Sequence, residues 1–244
     1  IGCTVGAYAL WFQPWLERRN QSGRAFHAIH DSAGLAEAPN SEQRIAIEYP
    51  EMSDRELGEF LETRELVELR LLGCRSITSA GLRQLSRSPQ LDTLDIRGTA
   101  VDDGISAVLC ELSRIRVLQV SHTGVQELSD CVFSSNVGLT SLECEGCKIS
   151  PRLLERCAKA ENLEYLNLSS VTGVEPIDFS ALIQTRSITR LDISGNVLDD
   201  TVVSLLFTIP TLQWMSLREA RGVSGTLIES LMARYPGVQC TYDR

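Results

Sequence analysis

Positive charge is in short supply. The 23 Lys and Arg are outnumbered by 32 Asp and Glu, and Arg18, Arg19 and Arg24 offset Glu17, Asp31 and Glu37, so the whole net charge of −9 falls on residues 41–244. Nucleic-acid binding depends on Lys and Arg neutralising phosphates, so no nucleic-acid partner is expected. Neither GxGxxG nor GxxxxGK(S/T) occurs, which excludes the usual backbone cradles for nucleotide phosphates. There are only three histidines, and no catalytic constellation assembles around them, so the chain is expected to be no enzyme and to carry no cofactor. The eight cysteines are scattered through 244 residues, a pattern that favours mostly reduced, buried thiols over a disulfide framework. An apolar share of 43% is ordinary and argues against disorder.

Long apolar runs are also lacking. The uncharged opening IGCTVGAYALWFQPW has fifteen residues, short of the ~20 that span a bilayer. Its Trp11, Phe12 and Trp15, followed by Glu17, Arg18 and Arg19, have the make-up of an interfacial belt and basic flank. Residues 1–16 are therefore expected to be the C-terminal part of a truncated transmembrane helix, and 17–43 a juxtamembrane helix and linker. The arginines lean towards a cytoplasmic placement of residues 44–244; the alternative is a soluble cytoplasmic protein.

What the sequence does have is a beat. Segments like LVELRLLGC align on Ile45, Leu69, Leu94, Leu118, Leu142, Leu166, Leu191 and Met215, at steps of 24, 25, 24, 24, 24, 25 and 24. Each copy keeps one inner register, as in Leu66, Leu69, Leu71, Cys74 and again in Ile188, Leu191, Ile193, Asn196. Alternating apolar positions predict a short strand with one buried face. Helical runs such as GLRQL, ISAVL, RLLERC, VVSLLF and LIESLM come after the strands, with Thr78 a candidate N-cap. Ile45, Ile47, Met52 and SDRELGEFLE predict an imperfect first unit, and Val238, Cys240 and Tyr242 a last strand.

This LxxLxLxx(N/C/T)xL run over residues 44–244 resembles the leucine-rich-repeat family, in its cysteine-containing and bacterial-type subtype. Together with the first 30 residues it is similar to bacterial membrane-tethered repeat proteins. The resemblance implies an α/β solenoid with a curved parallel sheet inside and helices outside: strands stack at about 4.8 Å whereas helices need 8–10 Å, so the stack bends. It also implies a non-catalytic protein-binding scaffold. The same subtype, when fused to an F-box, serves as a substrate receptor of ubiquitin ligases, but residues 1–43 show no F-box pattern.

On such an arc the third, fifth and seventh positions of each copy face inward. The third row reads Glu68, Thr93, Val117, Ser141, Tyr165, Arg190, Trp214, and the fifth reads Arg70, Asp95, Gln119, Glu143, Asn167, Asp192, Ser216. Tyr, Arg and Trp are enriched among energetic anchors of protein interfaces. Tyr165, Arg190, Trp214 and Arg218 are therefore the candidate contact residues, with Asp95, Glu143 and Asp192 as electrostatic guides towards a partner with a basic surface.

A rival metal or thiol enzyme would use His27 and His30, three apart on the expected helix, or the CxxC of Cys144 and Cys147. The repeat register explains both cysteines as packing. His122 sits at the eighth position, where most copies have glycine, and lacks a nucleophile elbow. Asn20 in NQS and Asn167 in NLS match the glycosylation pattern.

Overall fold

The computed structural model describes residues 26–134 and 138–243. It is one parallel sheet whose strands succeed each other in chain order from β1 to β10. They are β1 His27–Ile29, β2 Arg44–Ile47, β3 Glu68–Leu71, β4 Thr93–Asp95, β5 Val117–Gln119, β6 Ser141–Glu143, β7 Tyr165–Asn167, β8 Arg190–Asp192, β9 Trp214–Leu217 and β10 Gln239–Tyr242. The Cα register joins Ile45, Leu69, Leu94, Leu118, Leu142, Leu166, Leu191 and Met215 across neighbouring strands, as the periodicity predicts. The fold is an α/β leucine-rich-repeat solenoid, and the aliphatic positions of every coil merge into one continuous core. No coil could bury its apolar face alone, so stability comes from stacking.

The outer side is built from α1 Ser32–Glu37, α2 Asp54–Leu61, α3 Ile105–Glu111, α4 Asp130–Ser134, α5 Pro151–Lys159, α6 Asp200–Leu206 and α7 Gly225–Arg234, with 3₁₀ helices at Gly81–Arg87 and Pro176–Gln184. Local sequence explains the starts. Ser53 and Glu56 form a reciprocal capping box on α2. Ser150 caps α5 ahead of Pro151, and Asp199 and Ser224 cap α6 and α7.

Two kinds of rung tie one coil to the next. Asp54, Asp103 and Asp200 share one repeat position, and each accepts from backbone N–H of the adjoining coil: Thr78 at 2.8 Å, Gln126 and Glu127 at 2.6 and 2.8 Å, and Ser224 at 2.9 Å. Thr78 is therefore no helix cap; its hydroxyl donates to Asp54, and the 3₁₀ helix Gly81–Arg87 has no side-chain cap. The ninth position supplies the second rung. Cys74, Cys147 and Asn196 donate to the carbonyls of Ile47, Val120 and Leu168 one coil earlier, at 3.5, 3.1 and 2.8 Å. Small polar residues recur there because a buried carbonyl needs a partner.

The stretch 17–43 departs from expectation where it is described. Residues 27–29 form a strand paired to β2, with Ile29 fully buried, and α1 comes next, behind the Asp31 cap. The sheet thus starts before residue 44. Arg64 fastens this front unit: its guanidinium donates to the carbonyls of Phe60 at 2.8 Å and Ala38 at 2.6 Å, at the C-terminal ends of α2 and α1, and lies over the Phe60 ring. A cation suits the negative ends of both helix dipoles, although burial lowers the affinity of the group for its proton. The membrane-helix expectation for 1–16 lies outside the described residues, and among those described no helix is long and apolar enough to cross a membrane.

Most of the described cysteines match the expectation of reduced thiols: Cys74, Cys144, Cys147, Cys157 and Cys240 are free. Cys110 and Cys131 depart from it, being joined in a disulfide.

Candidate protein-binding face

The strand register turns the inward rows into physical neighbours. Tyr165, Arg190 and Trp214 are successive Cα partners across β7, β8 and β9. Arg190 and Trp214 are half-buried and Arg218 lies half-buried just past β9, while Tyr165 is only 1% exposed. Tyr165 is thus the floor of the patch and not one of its protruding contacts. Burial lowers the proton affinity of the Arg190 guanidinium, an effect opposed by Tyr165 and Glu164.

The front of the same face is charged but internally balanced. The Glu68 carboxylate lies 3.6 Å from Arg44 and 2.7 Å from Arg70, and the Arg70 guanidinium stacks on the Phe26 ring at 4.1 Å. Asp95 takes two bonds from Arg97, at 2.9 and 2.7 Å, a bidentate pair that raises the proton affinity of the arginine.

The three expected guides are drawn into the wall. Asp95, Glu143 and Asp192 are 0%, 7% and 5% exposed. Arg97 holds the first, Gln119 donates to the second at 2.8 Å, and the backbone N–H and hydroxyl of Ser194 donate to the third at 3.0 and 2.6 Å. For Glu143, burial outweighs the Gln119 bond and the nearby Arg97 charge, so its carboxyl holds its proton more tightly than an exposed glutamate does. The side chains that sequence reasoning missed are Arg44 and Arg70 around Glu68; the signal was the charge alternation across equivalent positions of adjacent copies.

Beside the patch, Glu145, Asn167, Ser170, Ser194, Arg218 and Glu219 are among the residues lining a polar hollow of about 250 Å³. That is below the ~300–1,000 Å³ of small-molecule sites. Asn167 faces this hollow but is buried, and its carbonyl oxygen accepts from Ser169, so the folded chain does not present its NLS sequon. Asn20 lies outside the described residues.

The rival chemistry does not come together. His27 sits in β1 and not on a helix, and His30 lies beside Glu48 at 3.7 Å on the exposed front. Cys144 and Cys147 are fully buried, and burial pushes the Cys144 thiol well above its ordinary value; a nucleophilic cysteine needs the reverse. Among the described residues no three His, Cys, Asp or Glu side chains could hold a metal together.

His122 belongs to a structural row. The eighth positions, Gly73, Gly98, His122, Gly146, Ser170, Gly195 and Glu219, all have φ between 54° and 72°. This is the left-handed region that suits glycine. A Cβ on Gly146 would overlap the His122 ring, and one on Gly195 the Ser170 hydroxyl.

No protein-family model matches the chain, and no curated protein does. Solved structures do. A leucine-rich-repeat protein of Leptospira interrogans superposes with a TM-score of 0.50 at 18% identity, over 84% of this chain and 61% of that one. Internalin C2 of Listeria monocytogenes gives 0.48 at 16%, over 76% and 84%, and the internalin inlF of that organism 0.48 at 16%, over 89% and 71%. At such identities the likeness concerns the fold alone: this chain is a leucine-rich-repeat solenoid.

Proposed function

We propose that the chain is a non-catalytic protein-binding arc that grips its partner at the C-terminal half of the inner face. The supporting observation is the side-by-side placement of Tyr165, Arg190 and Trp214, with Arg218 and the polar hollow next to them. Trp214 supplies apolar area, Arg190 and Arg218 supply donors, and Tyr165 holds the patch rigid from below. Asp95, Glu143 and Asp192, bonded within the wall, fix the side chains around them and act on a basic partner only at short range.

Affinity capture with the immobilised chain, followed by Trp214→Ala and Arg190→Ala variants, tests this reading. Loss of an anchor of about 2 kcal/mol lowers affinity roughly 30-fold. Undiminished capture by variants with unchanged circular dichroism overturns the patch. The proposed membrane tether rests on residues 1–16, and fractionation of the chain with and without them tests it: equal recovery in the soluble fraction rejects it.

A further inference from the structure

Cys110 in α3 and Cys131 in α4 belong to successive coils, their Cα atoms are 5.5 Å apart, and their sulfurs are bonded. Both are half-buried, so solvent-borne thiols reach them. The other described cysteines offer no competing site: Cys74, Cys144, Cys147 and Cys157 are buried, and burial pushes the Cys157 and Cys240 thiols up to about 12. The place of the bond is informative. α4 has five residues, of which only Val132 is buried, whereas α5 in the next coil has nine and buries Leu153, Leu154, Cys157 and Ala158. The bond thus ties down a short helix that sends one side chain into the core.

We propose that Cys110–Cys131 is a redox-sensitive clamp that holds the α4 coil onto its neighbour, closed under oxidising conditions and opened by low-molecular-weight thiols. In opening, an external thiolate attacks one sulfur, the Cys110–Cys131 bond breaks, and the departing sulfur takes a proton. A second external thiol resolves the mixed disulfide. Two electrons pass to the protein, which gains two thiols, and the external pair leaves as one disulfide. The clamp is on the outer side, so its state leaves the inner patch in place.

The test equilibrates the full chain in glutathione buffers of varied reduced-to-oxidised ratio, then maps peptides without reduction and monitors hydrogen exchange. The expected result is a joined Cys110–Cys131 peptide that disappears at the reducing end, with exchange in residues 125–134 accelerating about tenfold or more and residues 151–159 changing less than about twofold. Absence of the joined peptide at the oxidising end, no acceleration, or equal acceleration through every coil overturns the proposal. Cys110→Ser and Cys131→Ser are each expected to reproduce the reduced pattern without reductant. Should either variant fold poorly, the reduced wild type still decides.

Discussion

The coils carrying β5 and β6 have the same length and strands in the same register, yet their outer sides are assembled by different means. The β6 coil has a capped nine-residue helix that buries four side chains. The β5 coil has an irregular run in which Val125 and Leu128 are buried, then a five-residue helix and the disulfide. The inner side tolerates no such freedom, because each strand must present its leucine ladder and its backbone bonds to both neighbours at once. The outer elements touch their neighbours mainly through side chains and can be exchanged for a loop, a 3₁₀ turn or a covalent link.

Four measurements sharpen the contrast, the largest effect first. Leu153→Ala, in the helical coil, is expected to cost about 3 kcal/mol and Val132→Ala, in the clamped one, about 2 kcal/mol, read from urea midpoints; equal costs would say that the two outer sides carry equal load. Ser150→Ala removes the cap of α5 and should cost about 1 kcal/mol in the same assay. His122→Gly relieves a left-handed residue and is expected to gain about 0.5 kcal/mol, while Gly146→Ala loses stability through both its φ and the His122 ring. Last comes a pH effect. Burial raises the Glu143 carboxyl above the ordinary 4.5, so its contribution to stability is fully present below that value and is lost as pH rises through the raised one. Glu143→Gln should therefore gain on the wild type between mildly acidic and neutral pH. A gap between the two proteins that stays constant across that range contradicts the assignment.

Much of this architecture was legible in the sequence. The 24- and 25-residue steps are the strand register, because neighbouring coils can share a core only if their aliphatic positions coincide. The lateral trio of Tyr165, Arg190 and Trp214 came from the same arithmetic. β1 was illegible: of the apolar ladder positions it retains only Ile29, and His27 occupies the place that a leucine holds elsewhere. The disulfide was hidden because Cys110 and Cys131 sit at different repeat positions, sixteen and thirteen residues past their strand leucines, and periodicity speaks only of equivalent ones. The fate of Asp95, Glu143 and Asp192 depended on which neighbour each carboxylate met, which row position alone does not determine.

The left-handed row sets a rule of occupancy along the sheet's rim. From Gly98 onward, glycine alternates with a larger residue: Gly98, His122, Gly146, Ser170, Gly195, Glu219. His122 and Ser170 lean over the coil that follows and occupy the place that a Cβ on Gly146 or Gly195 would need, so these two seats stay bare while their predecessors are filled. Substitutions are consequently coupled within the pairs His122 with Gly146 and Ser170 with Gly195: a larger residue enters the second seat of a pair only if the first is trimmed.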